Sequence, residues 1–359
     1  MTETSVVTPD GQEHWLPLVA IRPGHDRGLA VISDPINHRR AAVDVESLVN
    51  ALLPSAGRPE DVDRAERLTT EFERRGWLPA GELGPDRLAM MRRWWERGWH
   101  PSLSYYLWSR HHNFRDSDDP RGAARRSALS EYLRRGEPRP RVKPEGARVP
   151  LPAPPAPPAD RTFGRLLMAR RTVRGYTPDP VGIDKLSGVL HHGLDDIRAL
   201  RELPKDDPLN WLRSHGSPFD FYVVNYAAEG LDPGIYHYSL DEHVLTAVAH
   251  GDHRADMVKV LVGMRGPETA AWTLVMVADF QQYQWRYRHE RALRHIYMAA
   301  GRIAQRLILV GFGFGLGSLP TPATRDQDTC DLLRLDPVRQ TPVYTLTMGP
   351  AHLSGDKDD

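Results

Sequence analysis

From Met168 to Pro178 the chain reads MARRTVRGYTP, which sets Arg170 and Arg174 on either side of Thr172. In an extended segment alternate side chains share a face, so two guanidinium groups would flank one hydroxyl. That grouping suits a phosphate dianion: the arginines neutralise its charge through bidentate contacts and the threonine adds a hydrogen bond. A second run, GFGFGLGSLP, places glycines at 311, 313, 315 and 317. It follows a long apolar segment and precedes SLPTPA, whereas a Gly-x-Gly-x-x-Gly dinucleotide fingerprint needs a strand before it and a helix after it. The glycines therefore serve close backbone approach to something flat or bulky, or a helix cap and a tight turn. Histidine pairs occur at 111–112 and 191–192, but adjacent histidines point apart and no carboxylate or cysteine stands at ligand spacing, so no metal site is expected. Ser214 and His215 lack the strand-turn-helix setting of a nucleophile elbow, and no Walker-type phosphate loop is present.

Several elements must position these residues. FDFYVVNY (219–226) and GIYHYSL (234–240) are aromatic and β-branched runs that read as antiparallel strands. TLVMVADF is a buried strand, and TPVYTLTMG is the last one. Between them the longest helix is expected over about 288–311, with Leu293, Ile296, Tyr297, Ala300, Ala304, Leu307 and Ile308 on one face. Helices and strands do not alternate regularly, so the fold class expected is α+β, an antiparallel or mixed sheet flanked by helices.

Nine of the thirty-one prolines lie in 138–158, where fixed backbone angles and missing amide donors exclude helix interior and central strand. That stretch is expected to be a stiff connector over 136–158. Before it, DVESLVNALL and PEDVDRAERLTTEFERRGWLP show helical spacing and suggest a winged-helix-like module over 1–90. An aromatic helical segment over 91–135 carries Trp94, Trp95, Trp99, Tyr105, Tyr106 and Trp108, an interface between parts of the protein or a peptide-docking surface. The second domain is expected over 159–354, with SGDKDD as a frayed tail.

Forty-seven basic and forty-seven acidic side chains cancel, which argues against nucleic acid or an anionic membrane as main partner. Cys330 alone forms no intrachain disulfide and suits a reducing compartment. With no signal-peptide pattern and no apolar segment long enough to span a bilayer, a cytoplasmic location is expected.

ARRTVRGY, GLDPGIYHY, YRHERALRHIYMAAGRIAQRLILVGFGFGLGSLP and LLRLDPVRQTPVYTLTMG, in this order, resemble the nitroreductase-like flavin oxidoreductases. They are similar in particular to the SagB-type dehydrogenase branch, which oxidises azolines to azoles in ribosomally made peptides. The resemblance covers about residues 160–350, and SLSYYLWSR is similar to the branch's upstream segment. It implies FMN at a homodimer interface, with Arg170, Thr172 and Arg174 on the phosphate and ribityl chain. RSHGS, with Arg213, Ser214 and Gly216, resembles the segment beside the flavin ring. SLPTPA, after Gly317 and with Pro320, Thr321 and Ala323, resembles the loop whose backbone faces flavin N5 and the pyrimidine edge; Ala323 offers the amide that Pro322 lacks. Arg291 and Arg294 match the branch's arginines, but Tyr287 and Arg288 stand where its catalytic Lys-Tyr pair belongs. Azoline oxidation needs a base. Either Tyr287 is acidified by Arg288, or His289 or His295 takes the proton, or the reaction differs.

The expected function is therefore FMN-dependent oxidation of a residue in a precursor peptide, azoline or aromatic side chain, with dioxygen as acceptor and a partner modifying enzyme nearby. An NAD(P)H-dependent nitro or quinone reductase and a non-catalytic peptide-recruiting scaffold are the competing readings.

Overall fold

The computed structural model describes residues 6–7, 13–14, 20–24, 26, 28–35, 38–46, 70, 84–111, 119, 122–136, 139–158, 162–204, 207, 210, 213 and 217–352. The chain divides into two compact units, Met1–Phe114 and Arg115–Asp359. In the first, three antiparallel strands, β1 (Ala20–Pro23), β2 (Leu29–Asp34) and β3 (Arg39–Asp44), form a meander. The two helices expected of a winged-helix-like module lie almost wholly outside the described residues. Helices α1 (Gly84–Glu96) and α2 (His100–Arg110) hold the aromatic run. Trp94 meets Trp99 edge-on at 5.6 Å and stacks with Tyr106 at 6.4 Å, while Trp108 is covered by His38 (4.3 Å) and by the Arg40 guanidinium (4.2 Å). These contacts lie within the first unit, and Trp99 and Tyr106 remain exposed. The expected 91–135 segment is divided between the two units, since α3 (Ala123–Arg135) belongs to the second.

The second unit is built on a seven-stranded sheet. Its strands are β4 (Arg148–Pro150), β5 (Phe219–Asn225), β6 (Gly234–Ser239), β7 (Val244–His250), β8 (Trp272–Asp279), β9 (Leu316–Thr321) and β10 (Gln340–Pro350), in spatial order β9-β10-β8-β5-β6-β7-β4. Every neighbouring pair is antiparallel. Every residue of β5, β6 and β8 is buried, so both faces of the sheet centre are covered. This explains strands that are apolar almost throughout rather than alternating. One face carries α5 (Ile183–Gly193) and α9 (Ala292–Gly313), whose Val189, Leu190, Ile303 and Leu307 pack on Phe219, Phe221 and Leu274. The other carries α7 (Arg254–Val260) and α10 (Asp326–Leu333), with Met257, Val260 and Leu333 against Tyr222, Val224 and Val275. On α9 the buried stripe runs Ile296, Ala300, Ile303, Ala304, Leu307 and Ile308, and Tyr297 is exposed. Tyr297 stands next to Ile296, one residue or about 100° further round the helix, and so leaves the stripe. No described helix is long and apolar enough to cross a membrane.

The proline-rich stretch differs from a connector. It is a strap sewn onto the second unit, and the boundary between units falls before it. Prolines donate no backbone hydrogen bond but still accept through their carbonyls. Trp285 Nε1 donates to Gly136 O (3.0 Å), Gln282 Nε2 to Arg139 O, Arg339 to Pro140 O (2.6 Å), and Ser187 Oγ to Pro152 O (2.6 Å). Arg141 reaches inward to Ser217 O (2.6 Å) and Asp220 Oδ1 (3.3 Å). Residues 148–150 pair with β7 as the edge strand, where prolines are tolerated.

His243 anchors the far end of this strap. Its Nε2 lies 2.8 Å from Ser187 Oγ and its Nδ1 2.7 Å from Tyr238 OH, and Arg198 of α6 (Asp195–Arg201) donates to Tyr238 OH at 3.2 Å. Because the Ser187 proton goes to Pro152, the ring donates from Nε2 and accepts at Nδ1, so the neutral imidazole satisfies the chain and the cation does not. Burial first, then the His191 and Arg198 charges, lower its pKa to about 4. The unfolded chain therefore binds this proton more readily between about pH 6.5 and 4. Stability is expected to be full above pH 6.5, to fall as pH drops toward 4, and to be lost no further below that from this group. Urea unfolding at several pH values checks this. A His243→Asn variant, which keeps the left-handed backbone at φ 54°, should show a flatter pH dependence.

Candidate functional site

Arg170 follows the short helix α4 (Phe163–Ala169), and Arg171 closes the helix end by donating to Met168 O and Arg170 O, each at 2.9 Å. The chain then runs extended beside β9: Thr172 bridges Ser318, and Val173 N donates to Ser318 O at 2.9 Å. Gly317 permits this approach. A Cβ there would lie 2.8 Å from both Val173 Cγ2 and Ala351 Cβ, below any normal carbon-carbon contact. Because Val173 turns toward Gly317, Thr172 and Arg174 face the other way. Tyr176 locks the downstream end by donating to Thr347 O at 2.7 Å. The upstream glycines do different work: Gly315, at φ 78°, makes the left-handed turn from α9 into β9.

Arg170 is half-buried and Arg174 exposed, and neither has a carboxylate partner among the described residues. Nearby, the buried Ser318 hydroxyl has no hydrogen-bond partner among them. Two uncompensated guanidinium groups, a threonine hydroxyl and an unused serine hydroxyl fit a phosphate-bearing ligand. Within SLPTPA, Pro320 is half-buried, Ala323 is exposed, and Thr321 is buried with its hydroxyl toward Met264 Sδ at 3.6 Å. Arg213 is exposed, Ser214 and Gly216 lie outside the described residues, and the adjoining Ser217 is buried with an unpaired hydroxyl.

A second group forms where β8 ends. Asp279 is fully buried. Its Oδ1 accepts from Gln281 N (2.9 Å) and Gln282 N (3.1 Å), capping α8 (Phe280–Arg286), and its Oδ2 accepts from Arg339 Nε (3.0 Å) and its terminal nitrogen (2.8 Å). The capped helix delivers Tyr287, Arg288 and His289 to a cleft of about 640 Å³, lined also by Arg139, Trp285 and Glu290. The Tyr287 ring lies 4.5 Å from Tyr283 and 6.1 Å from each of His289 and His295. Burial, then the Tyr287 hydroxyl, raises the Tyr283 phenol above its ordinary range, so Tyr283 stays protonated.

Arg288 does not lie against Tyr287 as the acidification reading required. Its guanidinium covers Tyr132 of α3 at 3.7 Å, and the cation over the Tyr287 ring is Arg286, at 4.5 Å. The reason is α8: it ends at Arg286, the backbone turns extended at Tyr287, and the next side chain is thrown toward α3. Burial lowers the Arg286 pKa. Arg291 caps α9 and Arg294 sits in its first turn, which carries no acidic residue. Thus 170–174 and 316–321 form one group, and Tyr287, His289 and His295 another. Helix α9 joins them, beginning in the second and packing against α4 and β9.

The sequence reading passed over Asp279, Arg339, Trp285, Arg286 and Arg139. For Asp279 a signal existed: an acidic residue closing an apolar strand with glutamine three residues on is a capping box. Nothing local pairs it with Arg339.

Asp279→Ala should cost about 3–5 kcal/mol in urea unfolding, since it strands Arg339 in a buried site. Gly317→Ala should cost about 1–3 kcal/mol through overpacking against Val173.

The nitroreductase family model matches residues 167–350. TfxC, the trifolitoxin operon protein of Rhizobium leguminosarum bv. trifolii, is 27% identical over 285 residues, covering 76% of this chain and 77% of TfxC. Among solved structures, a nitroreductase-like protein of Anabaena variabilis aligns at 17% identity and a TM-score of 0.47, over 62% of this chain and about half (47%) of its own length. The E. coli microcin synthetase McbBCD complex, solved with truncated pro-MccB17 bound, aligns at 18% identity and a TM-score of 0.42, over 51% of this chain and 69% of that one.

Proposed function

The chain belongs to the nitroreductase family, an oxidoreductase class, and we propose that it is an FMN-dependent, SagB-type oxidoreductase that tailors a residue of a ribosomally made precursor peptide. The observation that carries this reading is the pair Arg170 and Arg174, uncompensated by any described carboxylate and held beside β9 by the Thr172–Ser318 bridge. Two guanidinium groups that flank one threonine and lack carboxylate partners repel each other and are retained where an anion occupies the space between them. A relative from a toxin operon, TfxC, supports a biosynthetic role.

Bound there, FMN would supply two-electron redox chemistry, with dioxygen as the final acceptor. The chain's own residues do the rest. Arg170 and Arg174 hold the phosphate and Thr172 donates to it. By the resemblance, Arg213, Ser214 and Gly216 and the backbone through Gly317, Pro320, Thr321 and Ala323 would hold the flavin ring, with Arg291 and Arg294 adding positive charge at the α9 start. The substrate residue loses a proton to a base drawn from Tyr287, His289 and His295. An imidazole is the better suited, because its ordinary range spans neutral pH and a phenol's does not. Arg288, turned onto Tyr132, takes no part in that transfer. The product is a residue two hydrogens lighter, an azole from an azoline or an oxidised aromatic side chain. A second copy of the chain covers the exposed apolar patch of Leu167, Met168, Tyr297 and Met298 on α4 and α9, giving a homodimer.

The purified protein is expected to show two flavin absorption bands, to release FMN on denaturation, and to lose the bands in the Arg170→Ala, Arg174→Ala double variant. A colourless protein that cannot be reconstituted with FMN overturns the oxidoreductase reading. With flavin in place, mass spectra of the cognate peptide should show loss of two hydrogens, and no mass change defeats peptide tailoring.

A further inference from the structure

The cleft beside α8 is unevenly charged in a chain whose total charge is zero. Arg139 and Arg288 both line it, and neither has a carboxylate partner among the described residues; the one carboxylate in its lining is Glu290. Arg288 is also held in place. Its guanidinium lies 3.7 Å over the Tyr132 ring and its Nε donates to Trp285 O at 3.3 Å, while Trp285 is fixed by its own bond to Gly136 O. Arg139 is fixed through its backbone, because its carbonyl accepts from Gln282 of α8. Of the two cations, one from the strap and one beyond α8, Arg288 is restrained at its guanidinium and loses less freedom on binding than a solvated surface arginine would. Further positive charge surrounds them: Arg125 of α3 lies close enough to disfavour the charged form of Arg286.

The remaining lining narrows the ligand. Gln281 and Gln284 line the cleft, and Gln281 Oε1 is buried with no hydrogen-bond partner among the described residues. That oxygen is an acceptor, which a peptide N–H satisfies and a phosphodiester backbone does not. Trp285 and Tyr287 add aromatic wall.

We propose that this cleft recognises an acidic peptide, Arg139 and Arg288 gripping a carboxylate while Gln281 takes a backbone N–H. The inference rests on the reading of the protein as a peptide-tailoring enzyme and names the substrate class of that site. Arg288 occupies the position where the resemblance places half of a catalytic pair, and here it acts in specificity, four residues before α9 begins. The carboxylate comes from an acidic side chain or from a peptide C-terminus.

The test is calorimetric titration of the full-length protein with unlabelled, N-acetylated glycine-serine decapeptides. One carries two glutamates, one two glutamines in their place, and each is made with a free and with an amidated C-terminus. The glutamate peptide should bind about tenfold more tightly than the glutamine peptide if a side chain is the source, and amidation should cost about tenfold if the C-terminus is. Either preference should weaken with added salt and vanish in Arg139→Gln, Arg288→Gln protein. Arg288→Lys, which keeps the charge and loses the planar fork, should retain only part of it, and an unchanged thermal midpoint shows that these proteins are folded. Equal binding of all four peptides, no binding up to millimolar concentration, a preference that survives the double substitution, or tighter binding of a decathymidylate overturns the proposal. The flavin spectrum of the same samples separates the two failures: flavin present with no carboxylate preference defeats this inference alone, whereas absent flavin defeats the enzymatic reading beneath it.

Discussion

The buried pair Asp279–Arg339 holds the cleft end of the second unit together. A carboxylate with no solvent exposure is costly unless every lone pair is used, and Asp279 spends one oxygen on two backbone N–H groups of α8 and the other on a bidentate arginine. Arg339 in turn donates to Pro140 O, and its own carbonyl accepts from Phe280 N at 2.8 Å. One interaction therefore sets the exit of the central strand β8, the direction of α8, the start of β10 and the course of the strap. The cleft and its aromatic and basic lining follow from where α8 points.

The segment of Arg170, Thr172 and Arg174 depends on a different constraint, the closeness of two backbones. Thr172 and Arg174 face away from Gly317 because Val173 is drawn into the space that Gly317 leaves open, while Arg170 closes α4, its N–H donating to Leu166 O at 3.1 Å. The same turn from α9, made by Gly315, starts β9 in register with β10, pairing Gly317 with Gly349. Gly349 in its turn lies beneath Tyr176, whose ring a Cβ there would meet at 3.0 Å. A chain of small residues thus brings a cationic segment to a sheet edge, and the long buried helix α9 carries the position of that edge to the candidate base group.

Proline-rich sequence is compatible with order when its carbonyls find donors. Side chains from α5 and α8, and Arg339 just before β10, supply them to Gly136, Arg139, Pro140 and Pro152, and Arg141 adds an inward ion pair with Asp220. The strap is held by contacts that its own composition does not encode, since the donors sit between 35 and 199 residues away.

Some of this was legible in the amino-acid sequence by itself. The α+β class, the strands over 219–225 and 234–239 and the long helix rest on local periodicity, which a chain carries whatever its environment. The two meanings of the glycine run, turn and close approach, were also readable, though not which glycine did which. Tertiary structure decided what depends on pairing across distance: that Asp279 meets Arg339, that Arg286 rather than Arg288 lies over Tyr287, and that the proline stretch is part of the second unit. Local spacing says which side chains share a face; only the folded chain says what that face meets.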